Sequence, residues 1–483
     1  MRSLIRNPLV NWNYTTEPEK GTGDRRMEWP RGRVMGGSSS INGMLYVRGA
    51  PADFDGWAQM GCRGWSYDDV LPYFKKSEHY VQGGDAEVRG QGGPLKVEDY
   101  RTILPLTHRF VEAAQQAGFP FNPDLNGKQR EGVGYSQMTR RGRLRGSTAQ
   151  TYLREARGRP NLKVETEAQG GKLLFEGKRC VGVTFQRRGD ITEVRANREV
   201  IVSGGTINSP HILQISGVGP AAHLQSLGIP VVHDLPGVGA NLVDHYVIRV
   251  VHRVHGTPTV NEIARWPRVL PEILRFAFTG KGALTFGVTT SQVFCDSREG
   301  LASPDLQLLF TPGSTHPLKF GQLDEKPGMS CVVCVVKPDS RGTIMAASAD
   351  PFARPAIKPN YLSAHTDELA LLGGTRHVRR IFASPALAQH SSGEIQPGPD
   401  IKSDDDLRAY ARRAGNTLYH PVGTCKMGED PRAVVDSRLR VRGVQGLRVI
   451  DASVMPTLTT GNTNAPAIMI AEKGATMIAE DAR

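Results

Sequence analysis

His420 is the residue of this sequence whose type and setting best suit proton transfer. It lies in the segment YHPVGTCKMG, where Pro421 and Gly423 follow it and keep the chain out of a regular helix. An imidazole gains and loses a proton near neutral pH, so it can act as an acid or a base. A single histidine is more often structural or merely exposed. The other segments of the sequence are therefore needed to distinguish a catalytic from a structural role.

Two asparagines, Asn462 and Asn464, come directly before a predicted apolar helix that contains Pro466 and Met477. Asn464 can cap that helix, and this structural role is sufficient by itself. The helix N-terminus also carries partial positive charge, which suits the stabilisation of an anionic reduced ring. The sequence pattern leaves both interpretations open.

A glycine-rich segment at 32–49, GRVMGGSSSINGMLYVRG, has the composition of a loop that lies against a large ligand. Gly36 and Gly37 are followed by three serines, which gives a backbone without bulky side chains and many N–H and O–H donors. Such a chain can lie against the phosphates or the ring of a cofactor. An ordinary glycine-rich loop is the alternative.

A second glycine-rich segment, residues 199–219, predicts a strand, a turn and a helix. The strand at 200–202 meets Gly204 and Gly205, and Ser209 and Pro210 are predicted as the N-cap and first residue of the helix, which Gly217 ends. A strand, a glycine turn and a helix N-terminus together form a common anion or dinucleotide contact. The GxGxxG fingerprint is nevertheless missing here.

The order of predicted elements indicates the α/β class with a discontinuous domain. Strands are predicted at LKVET, GKLLFEG, CVGVTFQRR, ITEVRA and EVIVS between residues 162 and 203. Residues 246–415 alternate strands such as DLQLLF with helices such as DELALLGGTRHVRRIFA. Since both ends of the chain are rich in glycine loops, we predict one domain from 1–245 and 416–483 and a second domain, 246–415, inserted between them.

Composition excludes several classes of protein. With 60 Lys and Arg against 48 Asp and Glu, the 483-residue chain has a net charge of +12, yet its densest basic stretch, 140–145, lacks an aromatic residue that could stack on a base. We therefore predict no nucleic-acid partner, and no transmembrane segment, because no apolar run approaches about 20 residues. Six scattered cysteines favour a cytoplasmic location, with peripheral attachment to a membrane left open.

No metal site is predicted. Cys331 and Cys334 form a CxxC, but the run SCVVCVVK reads as a strand. Residues three apart on a strand point to opposite faces, so these thiols cannot easily share a metal ion.

In order and wording, the glycine-rich and C-terminal segments resemble the glucose–methanol–choline (GMC) family of flavin oxidoreductases, particularly its choline-dehydrogenase-like bacterial members. RGRVMGGSSSINGMLYVRGAPADFDGWA is similar to the first signature of the family, and GGTINSPHILQISGVGP to the second. LPGVGANLVDH, HPVGTCKMG, LRVIDASVMPT and NTNAPAIMIAEK match later parts. The resemblance covers essentially the whole chain.

The resemblance implies a Rossmann-like FAD-binding domain, an inserted α+β substrate domain, and oxidation of a small-molecule alcohol by hydride transfer to flavin N5. His420 matches the histidine that takes or steadies the hydroxyl proton. The second active-site residue is placed at Asn464; Asn462 is counted among the cofactor contacts and stays the alternative for that role. The other positions that match flavin contacts are Gly36, Gly37, Ser38, Asn42, Asp451 and Ala452.

Two departures from the family pattern lead to further expectations. The first signature reads SSSIN where some members carry the histidine that binds FAD covalently, so we expect non-covalent FAD. The sequence also begins after the position of the strand–GxGxxG–helix unit that clamps the pyrophosphate. An inactive or FAD-deficient fragment is therefore an alternative, and so is a hydroxynitrile lyase on the same scaffold. The electron acceptor is oxygen, a quinone or another carrier.

Overall fold

A parallel strand pair joins the middle of the chain to its C-terminal part. The computed structural model describes residues 6–316 and 322–482, and within them Val200–Val202 pairs in parallel with Leu447–Val449. The helix Gly205–Ile215 follows the first strand, and the helix Asn464–Asp481 follows the second. Parallel strands connected through helices are typical of α/β nucleotide-binding domains, so the predicted fold class is confirmed.

An antiparallel three-stranded sheet precedes this pair and corrects one predicted strand. Its strands are Gln169–Glu176, Arg179–Arg187 and Asp190–Arg195, close to three of the predicted runs. The predicted strand at 162–166 was wrong, because that segment has no regular structure. Its apolar residues Leu162 and Val164 are exposed, and no described strand lies beside them to form a ladder.

A larger sheet of seven strands, antiparallel throughout, makes up the second body of the molecule. The helix His365–Ala383 packs against it and confirms the helix predicted at DELALLGGTRHVRRIFA. Cys331 and Cys334 contribute to different apolar clusters, which is the result expected for opposite faces of one strand. In spatial order the strands are Ser391–Gln396, Tyr246–Val254, Gly328–Val335, Leu306–Thr311, Ser291–Cys295 and Gly132–Tyr135, with Asn416–Thr417 also pairing to Tyr246–Val254.

Two large apolar cores correspond to these two bodies. One packs around the seven-stranded sheet, and the other surrounds the parallel pair and the C-terminal helix. Gly132–Tyr135 pairs with the large sheet although it precedes residue 246 in the chain, so the boundaries at 245/246 and 415/416 stay a prediction.

The remaining helices and strands are short and lie mainly around these sheets. The other α-helices are Pro51–Gln59, Tyr67–Ser77, Pro105–Gln116, Arg154–Ala156, Ala221–Ser226, Val260–Ile263, Val269–Thr279, Pro385–Ala388 and Asp404–Ala414. The other strands are Tyr14–Thr15, Glu28–Trp29, Glu78–Tyr80, Leu95–Asp99, Gln137–Arg141, Leu144–Arg145, Val218–Gly219, His233–Asp234, Thr343–Met345 and Ala356–Lys358.

Candidate functional site

The backbone of His420 is fixed by a buried carboxylate. The His420 N–H donates to Asp244 Oδ1 at 2.7 Å, and Asp244 Oδ2 accepts from Thr417 Oγ1 at 2.5 Å and from the Tyr361 hydroxyl. Burial raises the pKa of Asp244, while hydrogen bonds from Thr417 and Tyr361 act in the opposite direction. Asp244 thereby connects three segments that are distant in sequence and sets the position of the histidine.

The ring of His420 meets a second histidine. Its Nδ1 lies 3.0 Å from Nδ1 of His245, and the two rings are almost perpendicular, at 88°. His245 Nε2 faces the carbonyl oxygen of Val336 at 3.3 Å. Because a carbonyl only accepts, we assign the His245 proton to Nε2, which leaves its Nδ1 as an acceptor for the Nδ1–H of His420. In this arrangement Nε2 of His420 is unprotonated and can accept a hydrogen bond.

Both imidazoles are neutral in this environment. Burial lowers the pKa of His245 to about 3. Burial, and then the neighbouring His245 and Arg31, lower the pKa of His420 well below its usual value. A neutral His420 with an unprotonated Nε2 is in the form that a general base requires.

Asn462 is the asparagine that contacts His420. Its Nδ2 lies 3.1 Å from His420 Nε2, and its Oδ1 faces Gln307 Nε2 at 3.5 Å. Gln307 in turn donates to Gln292 Oε1 at 2.5 Å, so a chain of side-chain amides extends from the histidine into the large sheet. This arrangement fixes the orientation of the Asn462 amide towards the imidazole.

Asn464 has a different setting, at the start of the C-terminal helix. It is the first residue of Asn464–Asp481, Thr463 precedes it, and no side chain of the described residues caps this end. The interpretation of Asn464 as the helix cap, which the sequence left open, is therefore wrong, because the residue already has helical geometry and an N-cap side chain must stand one position earlier. Within the described residues, its side chain makes no hydrogen bond to His420.

Asp53, which the sequence analysis did not single out, holds the segment that carries Asn462. It is buried, and its carboxylate accepts from Thr460 N at 2.7 Å and from Thr460 Oγ1 at 2.9 Å. The same carboxylate accepts from Ala50 N at 2.7 Å, just before the helix Pro51–Gln59. Asp244 and His245 were also missed as functional positions, although both lie in the quoted run LPGVGANLVDH.

The glycine-rich segment borders a cavity. Gly36 has a φ of +84° and lines a cavity of about 490 Å³ together with Thr148, Ala149 and Tyr152. A Cβ at Gly36 would come within 3.0 Å of Ala149 N, so only glycine leaves this approach open. Gly37 begins the short 3₁₀ turn Gly37–Ser40 beside it.

The polar side chains of this segment already have protein partners. Ser38 Oγ accepts from Gly32 N at 3.2 Å. Asn42 Oδ1 accepts from Met44 N at 3.0 Å and from Arg145 Nη1 at 2.7 Å. The side chains of Ser38 and Asn42 therefore shape the loop, and its backbone groups are the donors best placed to meet a ligand.

Asp451 lies at the N-terminus of the helix Gly205–Ile215. Its Oδ2 accepts from Gly205 N at 2.8 Å and from Ser209 Oγ at 2.5 Å, and Ala452 follows it in a short 3₁₀ turn. The helix begins at Gly205, so the prediction of Ser209 as its N-cap was wrong.

Pro210 does not mark the start of this helix, because a contact from another segment compensates for its missing N–H. It lies inside the helix, where its missing N–H leaves the carbonyl of Thr206 without its helical donor. The Thr424 hydroxyl donates to that carbonyl at 2.6 Å. A tertiary hydrogen bond from the segment after His420 thus makes an internal proline acceptable.

Two buried histidines predict a loss of stability in acid. Burial lowers the pKa of His211 to about 4 and that of His245 to about 3, below the unfolded value of about 6.5. Between these values the unfolded chain binds more protons, so we expect the free energy of unfolding to fall as pH decreases below about 6.5, by at most about 1.4 kcal/mol per pH unit for each residue. Urea unfolding across this range measures the slope. A His211→Gln variant should show a shallower slope, and an unchanged slope would contradict this assignment.

Comparison with known proteins identifies the family. Residues 17–247 match the N-terminal domain of the family described as "GMC oxidoreductase", and residues 338–471 match its C-terminal domain. The chain is 41% identical to "Alcohol dehydrogenase [acceptor]" of Pseudomonas putida, over 98% of this chain and 86% of the relative. It is 43% identical to "Choline dehydrogenase, mitochondrial" of Homo sapiens, over 97% of this chain and 79% of the relative.

Solved structures share the fold. The crystal structure of pyridoxine 4-oxidase from Mesorbium loti superposes with a TM-score of 0.88 at 29% identity, over 98% of this chain and 89% of that one. An FAD-dependent oxidoreductase from Chaetomium thermophilum superposes with a TM-score of 0.91 at 25% identity, over 98% of this chain and 91% of that one.

The fold, the site around His420 and these relatives define an FAD-dependent oxidoreductase that acts on CH–OH groups. The predicted function is thereby confirmed. The chain belongs to the GMC oxidoreductase family, as the wording of its signature segments indicated. Among the described residues, no helix is both long and apolar enough to cross a bilayer.

Proposed function

We propose that His420 and Asn462 form the catalytic pair for the oxidation of a small-molecule alcohol, with FAD as the group that would accept the hydride. The observation that carries this assignment is the 3.1 Å approach of Asn462 Nδ2 to His420 Nε2, at the nitrogen left free by the His245 contact. His420 Nε2 takes the hydroxyl proton of the alcohol. The Asn462 amide donates to the alcohol oxygen and does not compete for its proton. His245 acts as a positioning residue that selects the His420 tautomer.

The residues around the cavity fit the FAD that this family uses. Gly36 keeps the loop backbone free of a Cβ, and the cavity beside it offers about 490 Å³. Gly36, Gly37, Ser38 and Asn42 would hold the ring side of the cofactor, with Asp451 and Ala452 near its ribityl and phosphate groups. When bound, FAD supplies the acceptor for the alcohol hydride at flavin N5.

We propose further that FAD is held without a covalent bond. Residues 32–42 contain no histidine, cysteine or tyrosine, so this segment offers no side chain of the usual nucleophilic types for flavin attachment. Precipitation of the protein with acid should release all the flavin into the supernatant. Flavin that remains with the pellet would contradict this proposal.

The reaction is tested with the purified flavoprotein under anaerobic conditions. Aliphatic alcohols, aromatic alcohols and choline are added one by one, and the visible absorbance of the flavin is followed. We expect at least one alcohol to bleach the flavin and to yield one equivalent of its carbonyl product. Protein without flavin absorbance, or without bleaching by any alcohol, would contradict the proposed function. Admitting oxygen or a quinone to the reduced protein then identifies the electron acceptor.

Because Asn462 and not Asn464 contacts His420, alanine substitutions of the two asparagines should affect the rate of flavin reduction differently. Asn462→Ala should slow flavin reduction at least about tenfold, because it removes a hydrogen bond to an oxygen that gains negative charge. Asn464→Ala, two residues away in the same segment, is the matched control and should remain within about twofold of the wild type. Stopped-flow measurement of flavin reduction compares them, and the reverse order of effects would assign the role to Asn464.

We propose a cytoplasmic location. All six cysteines are free and buried, as expected where thiols are kept reduced.

A further inference from the structure

The helix Val269–Thr279 exposes apolar side chains to solvent. None of its residues is fully buried, and Leu274 and Phe278 are 58% and 79% exposed. A surface helix of a soluble protein normally turns its apolar face towards the core and its polar face outwards. In this helix Val269, Glu272 and Phe276 are half-buried, and the remaining apolar residues face solvent, so its outer surface needs an explanation other than folding.

The exposed apolar residues form a continuous stripe. Leu270, Ile273, Leu274 and Phe278 recur at three- and four-residue intervals, which places them on one side of the helix. Trp266, 75% exposed, precedes the first turn and extends the set towards the N-terminal end. We call these five residues the outward stripe.

The opposite side of the helix is anchored to the protein. Glu272 accepts a hydrogen bond from Ala283 N, and Arg143 donates to the carbonyls of Ala277 and Phe278 at 2.5 and 3.0 Å. Arg143 belongs to the dense basic stretch 140–145, which therefore has a structural use at the helix C-terminus. These contacts hold the helix with its apolar stripe facing outwards.

Basic side chains border the outward stripe. Arg265, Arg268, Arg275 and Lys281 are exposed. The two acidic residues of this segment, Glu262 and Glu272, are less exposed and pair with Arg268 and Arg275 at 3.4 and 3.8 Å, so the four cations exceed the two carboxylates by two charges. The whole chain also carries a net charge of +12. The surface thus combines an aromatic and aliphatic face with a positive margin, which is the composition of helices that lie in the interface of anionic membranes.

We propose that the outward stripe binds the surface of an anionic lipid bilayer, with the helix lying in the plane of the membrane. The 11-residue helix is about 16 Å long, so it lies on a bilayer and does not cross one. Trp266 and Phe278, near its two ends, enter the headgroup region together with the aliphatic residues between them. The basic margin contacts the lipid phosphates.

The charges argue against a second copy of the chain as the occupant. In a two-fold symmetric pair the same surface meets itself, so the basic residues that border the stripe would approach one another. An anionic lipid surface instead complements them. The proposal concerns where the protein resides and does not depend on the roles assigned to His420 and Asn462.

Co-sedimentation of the full chain with vesicles tests the proposal. The wild type should bind vesicles of phosphatidylcholine with phosphatidylglycerol, bind vesicles of phosphatidylcholine alone more weakly, and lose binding as salt is raised. The double variant Leu274→Asp, Phe278→Asp should bind the anionic vesicles at least about tenfold more weakly. Ile191→Asp, which changes a 64% exposed residue of the three-stranded sheet, is the matched control and should bind like the wild type.

Trp266 provides a second measurement that requires no loss of binding. Of the five tryptophans, Trp29, Trp57 and Trp65 are fully buried and Trp12 is half-buried against the core, so lipids brominated in the upper acyl chain should quench mainly Trp266. Most of the quenching should be lost in Trp266→Phe. Equal vesicle binding by wild type and double variant, or no quenching, would overturn the proposal. It would also be overturned if the wild type ignored vesicles and formed a dimer that the double variant abolished, because the stripe would then bind a second copy.

Discussion

Replacing His420 by alanine should slow flavin reduction at least about 100-fold. The imidazole is the neutral group whose free Nε2 faces Asn462, and loss of a general base costs about two to four orders of magnitude in rate. Alanine leaves no side chain at this position that can take the hydroxyl proton. The effect should appear in the rate at saturating alcohol, because the proton is transferred in the chemical step. Anaerobic stopped-flow mixing with the best alcohol measures it.

Two comparisons separate this effect from a general loss of structure. His365→Ala changes an exposed histidine on a distant helix and should reduce the flavin at the wild-type rate. The flavin spectrum of His420→Ala should match that of the wild type, which shows that the cofactor is still held. A rate within about threefold of the wild type would contradict the role of His420 as the base.

His245 should determine which tautomer of His420 is populated. His245→Phe removes the acceptor for the Nδ1–H of His420 while it retains a ring of similar size. The proton of His420 is then free to move to Nε2, which no longer accepts. A lower rate of reduction with little change in KM would agree with this positioning role, since the alcohol itself does not contact His245.

His420, the proposed base, could be singled out from the sequence, but the side chains that contact it could not. His420 and the glycine-rich loop at Gly36 lie in long segments whose wording is specific to the family. Asn462 and Asn464 are two positions apart in one loop, and composition cannot tell which amide points towards the histidine. The orientation of this loop depends on Asp53, which accepts a hydrogen bond from Thr460 N although the two residues are more than 400 positions apart in sequence.

Local rules failed where tertiary contacts outweighed them. A proline after a serine predicts a helix start, yet the helix at 205–215 accommodates Pro210 because Thr424 donates to the released carbonyl of Thr206. The alternating run at 162–166 has strand propensity but no neighbouring strand to pair with. Neither the donor from Thr424 nor the absence of a pairing strand leaves a signal in the local sequence.

Replacing Glu78 by alanine should destabilise the fold more than any other single change considered above. Glu78 is fully buried in a short strand, where it accepts from Arg48 and, at 2.8 Å, from Arg89 Nη2. Both guanidinium groups are buried as well. Without the carboxylate, the buried Arg48 would lose its acidic partner, and the buried Arg89 would keep only Asp124, at 2.7 Å from its Nη1, in a medium of low dielectric constant. Removing one partner of a buried ion pair costs about 3–5 kcal/mol.

The unfolding temperature of the variant, followed by circular dichroism, measures this cost. We expect a decrease of about 5 °C or more, because a change of 1 kcal/mol shifts the midpoint of a large domain by about 2–4 °C. Glu112→Gln, in an exposed pair with Arg109, is the matched control and should change stability by less than about 0.5 kcal/mol. An equal, small effect of both substitutions would show that Arg48 and Arg89 reach water or another acceptor once the carboxylate is lost. The buried pair would then not be what holds this part of the core together.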